Sequence, residues 1–308
     1  MKVEKVMKLY REFGFKVAFA SFCSSAFTHP MAITRWRDKV LINYLRKNCS
    51  DVLQKYKNLP ENNTNEHSNI IWSIWWQGEE NAPEVVKRCF ASVRKHCIGK
   101  DFKIITKNNF RDYIQLPEHI IKKVDQGMIT LTHLSDILRM YLLYNYGGLW
   151  LDATIFVTEK IPDEIFLMPY FTIKREAIPN DFNVGQRRWT TFLQAAHKRL
   201  NFCGFVYEIM LEYWKKHETV FNYVLFDYII ALAYEELPEF RSMLDELPVN
   251  NPDVDSIQAL LNMQFDEKKF ADLTQNTNFF KLTWKDQFQK NIAGSETFYG
   301  KIMDENFL

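Results

Sequence analysis

The side chains best suited to chemistry fall in residues 131–157, LTHLSDILRMYLLYNYGGLWLDATIFV. Asp136 and Arg139 are three residues apart, a spacing that places both side chains on one face of a helix. Asp152 lies in an otherwise apolar run, two residues after Trp150. A carboxylate in such a run is costly to bury unless a cation meets it. Acidic, basic and aromatic side chains in this arrangement predict a polar binding pocket.

A helix, a turn and a strand must position these side chains. Apolar residues recur at helical spacing over residues 131–144. Gly147 and Gly148 then supply the left-handed residue that ends a helix. Residues 149–157 alternate, so a strand there would place Asp152 and Thr154 on one face. The pattern therefore predicts a helix and a strand that converge on one pocket.

The pattern S-D-x-x-R followed by G-G-x-aromatic-x-D resembles the DXD-containing glycosyltransferases of the capsular polysaccharide synthesis type and, more remotely, the glucosylating toxins. The matching residues are Ser135, Asp136, Arg139, Gly147, Gly148, Trp150 and Asp152. The resemblance implies an α/β fold of the GT-A type, a nucleotide-sugar-binding domain with a mixed, mainly parallel sheet flanked by helices. It also implies a UDP-sugar donor, Mn2+ or Mg2+ as the cofactor, and transfer that retains the anomeric configuration.

The resemblance further implies a role for each residue of the pattern. Asp136 and Arg139 would contact the donor sugar, with Arg139 also near the phosphates. Gly148 belongs to the donor-binding turn, and Trp150 takes the place of an aromatic ring that stacks on the ligand. Asp152 would bridge ribose, sugar and metal. Thr154 stands where the family has the second aspartate, so Asp152 and Thr154 are the predicted metal ligands; taken alone, Asp136 and Arg139 also fit a helix-surface ion pair.

The nucleotide-binding half is predicted to begin with a strand in residues 69–77, NIIWSIWWQ. Pro83 follows and starts an amphipathic helix, and a strand, turn and helix are the usual opening of a nucleotide-binding α/β unit. By resemblance, Trp75 stacks on the uracil, with Trp76 and Gln77 beside it. The alternative is that these tryptophans belong to the core.

Three further segments are candidates for the site. Residues 176–191 form a loop in which Trp189 is either a platform for a sugar or part of a structural loop. Asp227, in VLFDYIIALAY, needs partners if it is ionised and buried, so it either has a structural role or joins Asp152, Asp136 and Arg139 as a catalytic residue. The segment FKLTWK resembles the family's C-terminal loop that closes on the diphosphate. Its candidate residues are Lys281, Trp284 and Lys285.

Composition excludes several classes of protein. The chain has 308 residues and a formal net charge of +1, which argues against a nucleic-acid-binding protein that acts through bulk charge. It contains five cysteines without a C-x-x-C pair, a pattern that favours reduced thiols in the cytosol. A transmembrane helix is not expected, because no run of about 18 uncharged apolar residues occurs. The flanks of the apolar run at residues 17–27 do not resemble a cleaved signal peptide.

The predicted domains are an N-terminal helical appendage, residues 1–68, and a GT-A-like glycosyltransferase domain, residues 69–308. Lysines and arginines are prominent in the appendage. They favour either docking on the anionic inner face of the plasma membrane or a helical pair packed on the main domain with solvated lysines. The polar residues 60–68, PENNTNEHS, mark the linker.

The sequence therefore predicts a cytoplasmic, metal-assisted retaining glycosyltransferase. It would move galactose or glucose from UDP to a glycan acceptor that is lipid-linked, in bacterial capsular or exopolysaccharide synthesis. Two alternatives remain at this point: a toxin-like enzyme that glycosylates a protein hydroxyl, and a non-catalytic sugar-nucleotide-binding subunit. Thr154 in place of the second aspartate favours the latter.

Overall fold

The computed structural model describes residues 3–26, 31–60 and 66–307. The first half contains α1 (Val3–Ala26), α2 (Met31–Asn48), α3 (Ser50–Lys57), β1 (Ile70–Ile74), α4 (Glu84–His96), β2 (Asp101–Ile105), α5 (Phe110–Tyr113), α6 (Glu118–Asp125), α7 (Leu131–Tyr146), β3 (Gly148–Leu151) and β4 (Ile155–Val157). The second half contains α8 (Glu164–Leu167), β5 (Tyr170–Thr172), β6 (Leu193–Ala196), α9 (Asn201–Lys216), α10 (Leu225–Glu236), α11 (Pro238–Glu246), α12 (Ser256–Leu260), α13 (Glu267–Thr274), β7 (Phe279–Lys281), β8 (Asn291–Ile292), β9 (Ser295–Glu296) and α14 (Phe298–Met303).

The central sheet has the strand order β2-β1-β3-β6-β5. Strand β1 pairs in parallel with both β2 and β3, whereas β6 is antiparallel to β3 and to β5. Four strands therefore run in one direction and β6 in the other. Helices cover the sheet, as the apolar character of its inner strands requires. The predicted fold class, a mixed and mainly parallel α/β sheet flanked by helices, is confirmed.

The two faces of the sheet belong to different parts of the core. Trp72 of β1 and Trp150 of β3 point into the cluster formed with α7, α9 and α10. Their strand neighbours Ile71 and Leu149 point into a second cluster on the opposite face. All four side chains are fully buried. The alternation of strand side chains thus places Trp150 on the same face as α7, which carries Asp136 and Arg139.

The prediction of one strand over residues 149–157 is wrong. Strand β3 ends at Leu151, and β4 begins at Ile155 and pairs with β7 in a separate two-stranded sheet. The chain turns between them, with the Ile155 amide donating to the Asp152 carbonyl at 3.0 Å. The alternating pattern gave no sign of this turn, because the residues on both sides of it are buried.

The N-terminal helices pack on the main part of the chain. Helix α1 is broken at Gly14, which has a φ of 81° and no helical geometry. Buried residues of α1, α2 and α3 belong to the same cluster as those of α9 and α10. The domain boundary at residue 68 stays a prediction. The middle of the predicted linker, residues 61–65, lies outside the described residues.

Within the described part of the chain, no helix is long and apolar enough to cross a membrane. Cys23, Cys49, Cys89, Cys97 and Cys203 are all free thiols.

Candidate active site

A cleft of about 610 Å3 opens at the carboxyl ends of β1 and β3. Its walls are residues that follow β1, the first turn of α7, the turn after β3 and the segment after β7. Open α/β sheets bind ligands at this edge, because neighbouring parallel strands end there and their following loops diverge. The predicted residues that line it are Trp75, Trp76, Gln77, Ser135, Asp152, Thr154, Lys281, Trp284 and Lys285.

Asp152 is the carboxylate at the floor of the cleft, and three donors hold it. Arg139 Nη2 donates to its Oδ1 at 3.2 Å, and Trp150 Nε1 donates to the same oxygen at 3.0 Å. Lys281 Nζ donates to Oδ2 at 2.8 Å. Burial by itself would raise the pKa of Asp152, but the charges of Lys281 and Arg139 outweigh it and lower that pKa to about 2. The carboxylate is therefore ionised at any physiological pH.

Asp136 and Arg139 support Asp152 from behind rather than lining the cleft. The exposed fraction of the Arg139 side chain is 3% and that of Asp136 is 11%. Arg139 Nη1 donates to Asp136 Oδ1 at 3.1 Å, so the guanidinium bridges the two carboxylates. Its carbon lies 4.9 Å from the ring centroids of both Trp150 and Phe226. Arg139 therefore holds Asp152 from behind and does not line the cleft.

Burial of Asp136 raises its pKa to about 7, even though Arg139 opposes the shift. The carboxylates of Asp152 and Asp227 add to the shift, since further negative charge disfavours ionisation of Asp136. The sequence alone also allowed Asp136 and Arg139 to form an ion pair on a helix surface. Both side chains are buried, so this alternative does not apply.

Three residues expected to touch the ligand instead support the fold. The Trp150 side chain is fully buried, so no face of its ring is open for stacking, and its indole N–H holds Asp152. Trp189 is 4% exposed and donates from Nε1 to Asp227 Oδ1 at 3.0 Å, so it is no sugar platform. Gly148 has a φ of 98°, and a Cβ there would collide with the Ile70 carbonyl oxygen. Gly148 is needed for the close approach of β3 to β1.

Asp227 lies on α10 behind the cleft and does not line it. Burial raises its pKa to about 6, against the opposing effects of the Trp189 hydrogen bond and the Arg139 charge. Its position favours the structural alternative, in which the carboxylate orders the loop that carries Trp189.

The wall that faces Asp152 is aromatic. The Trp75 and Trp284 rings meet edge to face, with centroids 5.7 Å apart and planes at 86°. The Trp75 indole N–H is buried and has no hydrogen-bond partner among the described residues. Trp284 is 43% exposed. An open π-face of this kind is suited to a nucleobase.

The segment after β7 forms the other wall of the cleft. The Leu282 amide donates to the Thr154 carbonyl at 2.9 Å, which ties this segment to the turn after β3. The Thr283 amide donates to Gln258 Oε1 at 2.6 Å. Sequence reasoning missed several residues of the cleft, because they belong to loops and helix ends without a motif. These residues are Leu131, Thr132, Tyr223, Asp255 and Gln258.

The predicted metal ligands do not fit a divalent cation in this arrangement. Asp152 already accepts hydrogen bonds from three donors, and Thr154 offers a neutral hydroxyl in place of a second carboxylate. Mg2+ and Mn2+ can take oxygen ligands from waters and substrate phosphates, but they still need the carboxylate, and the Lys281 ammonium would repel a cation at Oδ2. Within residues 3–26, 31–60 and 66–307, no group of three or more His, Cys, Asp or Glu side chains is placed to hold a metal ion.

A nucleotide-sized cleft with this carboxylate and these tryptophans, at the carboxyl edge of a mainly parallel sheet, is typical of a sugar-nucleotide transferase. The profile of the family "Capsular polysaccharide synthesis protein" matches residues 25–302, and the chain belongs to that family. The predicted resemblance to glycosyltransferases of this type is confirmed.

The comparisons also give two proteins named as glycosyltransferases. The O-glycosyltransferase braB of Annulohypoxylon truncatum is 28% identical over a segment that covers 30% of this chain and 24% of the relative. The match therefore spans about a quarter of that relative's length. Among solved structures, the PaToxG glycosyltransferase aligns with 70% of this chain and 91% of its own, at 13% identity and a TM-score of 0.37.

Proposed function

We propose that this protein is a retaining glycosyltransferase that moves a hexose, galactose or glucose, from a UDP-sugar to a glycan acceptor. The observation that carries the proposal is the meeting of Asp152, Lys281 and Trp75 in one cleft at the ends of β1 and β3. A carboxylate, a cation and an aromatic face are what a sugar, a diphosphate and a base require.

In this proposal, different residues of the cleft contact the base, the diphosphate and the sugar of the donor. The uracil stacks on Trp75 or Trp284, and Trp76 and Gln77 lie beside it. The diphosphate lies against Lys281 and Lys285, which face it as cations. Asp152 accepts hydrogen bonds from ribose or sugar hydroxyls with the lone pairs that its three donors leave free. Asp136, Arg139 and Trp150 hold Asp152 in place.

The transfer step breaks the bond between C1 of the sugar and the β-phosphate oxygen, and the electron pair leaves with UDP. The acceptor hydroxyl oxygen forms the new bond to C1, and its proton passes to the departing phosphate oxygen. Lys281 and Lys285 stabilise the charge that develops on the diphosphate. The dependence on Mn2+ or Mg2+ that the resemblance implies stays a prediction, and no step here uses a cation other than these side chains.

We further propose a lipid-linked acceptor at the cytoplasmic face of an anionic membrane, in capsular or exopolysaccharide synthesis. The support is an exposed aromatic surface on α1 and α2, formed by Tyr10, Phe15, Phe19, Phe22 and Trp36. The Phe15 and Phe19 rings stack at 5.4 Å, and Trp36 meets Phe19 edge to face at 6.1 Å.

Exposed basic side chains on the same helix complement an anionic bilayer. They are Lys5, Lys8, Arg11 and Lys16. Aromatic side chains that enter the headgroup region and lysines that meet anionic lipids together favour this surface as the membrane side of the protein.

Hydrolysis of a panel of nucleotide sugars by the purified protein tests the proposed reaction. We expect slow release of UDP from UDP-galactose or UDP-glucose and from no GDP- or dTDP-sugar, with Trp75→Ala weakening the UDP affinity by about tenfold. Tight UDP binding without turnover, even with lipid-linked glycan acceptors, would instead identify a non-catalytic subunit. Absence of UDP binding would contradict the assignment of the cleft.

A further inference from the structure

Lys281 is fixed at the cleft by its backbone. It is the last residue of β7 and pairs with Ile155 of β4, immediately after the turn that carries Asp152. Its Nζ lies 2.8 Å from Asp152 Oδ2 and 5.2 Å from the centroid of the Phe192 ring. The exposed fraction of its side chain is 28%, so the ammonium is anchored at one side and open to the cleft at the other.

The position that Lys281 Nζ takes is one where a divalent cation would bind Asp152. Oδ1 accepts from the buried Arg139 and Trp150, and Oδ2 accepts from Lys281, which lines the cleft. A cation needs Oδ2 as a ligand, and the ammonium already holds it. The second carboxylate, which would help to hold a cation against such competition, is replaced by Thr154.

Two lysines bring positive charge to the cleft. A nucleoside diphosphate ester carries about two negative charges, and Lys281 and Lys285 both line the cleft. An ammonium has three N–H donors, so Lys281 can keep its bond to Asp152 and offer two to phosphate oxygens. Arg139 lies on the inner side, where Asp152 and Asp136 share its charge.

We propose that Lys281 takes the place of the divalent cation, so that this protein binds its nucleoside-diphosphate donor and transfers from it without a metal. Thr154 provides no second carboxylate for a cation, and Lys281 provides a fixed ammonium at Asp152. The inference rests on the proposed function, because it concerns the diphosphate of the donor.

Calorimetric titration with UDP, in EDTA and then in excess Mg2+ or Mn2+, tests this inference. We expect the wild-type affinity to agree within about twofold between the two conditions, because the charge that holds the diphosphate is part of the chain. Lys281→Met keeps the length of the side chain and removes its charge, so in EDTA it should bind UDP at least about tenfold more weakly. Lys281→Arg should retain most of the affinity.

Two controls separate the loss of charge from the loss of structure. Lys290→Ala removes an exposed lysine of the same segment, which pairs with Glu84 away from the cleft, and should leave UDP affinity unchanged. The electron paramagnetic resonance signal of Mn2+ reports cation binding directly, against a blank of Mn2+ and UDP alone. Wild type should not reduce that signal beyond the blank, whereas Lys281→Met, with Oδ2 exposed, should.

The outcomes distinguish the two proposals. UDP binding that appears only with Mg2+ or Mn2+, Mn2+ bound by the wild-type protein with UDP, or wild-type affinity in Lys281→Met would each overturn the inference and leave the proposed transferase intact. No UDP binding by the wild-type protein with or without metal would overturn both.

Discussion

At the residue scale, the structure divides the residues of the motif into two layers. Ser135, Asp152 and Thr154 line the cleft, whereas Asp136 and Arg139 stand behind it. Spacing along a helix shows which side chains share a face, but it cannot show how deep that face is buried. The depth is set by α10, whose Phe226 closes over Arg139, and no local pattern encodes that contact.

Asp152→Asn is expected to remove most transfer while the fold persists. The amide keeps one oxygen for Arg139 and Trp150 but places an NH2 group or a neutral oxygen against Lys281, so the charge that positions the ammonium is lost. We expect at least about a hundredfold loss of kcat/KM, comparable with the removal of a positioned electrostatic group. Initial rates of UDP release measure it, and a melting temperature close to that of wild type excludes unfolding. Activity near that of wild type would contradict the role of Asp152.

Asp227→Asn is expected to change how stability depends on pH. The pKa of Asp227 is raised in the folded state to about 6, so the wild-type protein loses stability as pH rises from the unfolded value, near 4, through 6. The asparagine can still accept the hydrogen bond from Trp189, but it does not ionise. The stability of the variant should therefore not decrease between pH 4 and pH 6 through ionisation at this position. The free energy of unfolding of the variant, relative to that of wild type, should increase by on the order of 1–3 kcal/mol between pH 4 and pH 8.

Urea denaturation at several pH values measures that difference. Asp163→Asn is the matched control, because Asp163 is an exposed carboxylate whose pKa is lowered by Lys100 and Lys160 rather than raised. Its variant should not gain stability as pH rises. Parallel pH curves for wild type and Asp227→Asn would show that Asp227 is ionised at little cost in the folded protein.

At the element scale, the sequence predicted two helices and the first strand better than the rest of the sheet. Strand β1 and helices α4 and α7 lie within a few residues of their predicted bounds. Strand β6, Leu193–Ala196, was missed, because Leu-Gln-Ala-Ala has low strand propensity and its place is set by pairing with both β3 and β5. The turn at Asp152 was missed for a related reason: only the distant β7 shows that β4 pairs elsewhere.

Gly148→Ala is expected to be strongly destabilising, by more than about 3 kcal/mol, since it combines an unfavourable φ with a collision. The new Cβ would meet the carbonyl oxygen of Ile70, a backbone atom that cannot move without disturbing β1. Gly99→Ala is the matched control, with a φ of 74° and nothing within 4 Å of the added carbon. It should cost only about 1 kcal/mol. Urea denaturation measures the free energy of unfolding of both variants. Equal losses would show that the positive φ, and not the close approach of β3 to β1, requires glycine at position 148.

At the scale of the whole molecule, the N-terminal helices α1, α2 and α3 pack on the main part of the chain and provide a further surface. The buried residues of all three helices join the core of α9 and α10, and exposed residues of α1 and α2 form the aromatic surface described above. Sequence periodicity left open whether these helices dock on a membrane or are only packed on the main domain. The structure gives them a packed inner face and an aromatic outer face, so the two readings do not exclude each other.

Phe19→Ser is expected to weaken binding to vesicles that contain anionic phospholipid by about tenfold, because Phe19 is central to the aromatic surface and contacts both Phe15 and Trp36. Cosedimentation with vesicles measures this, and raising the salt concentration should weaken wild-type binding. Ile98→Ser removes a side chain that is 65% exposed elsewhere and is the matched control. Equal binding by wild type and Phe19→Ser would exclude this surface as the membrane side.

The contact between Asp152 and Lys281 also limits how early the cleft can form while the chain is being synthesised. The two residues are separated by 129 positions, and β4 finds its only described strand partner in β7. Contacts this distant in sequence have a high contact order and form late, because a long loop must close first. A growing chain that has emerged only as far as β6 contains every strand of the central sheet but lacks the lysine of its cleft. Under the proposed function, the cleft can therefore bind its donor only after β7 has been synthesised, when the main sheet has had time to fold.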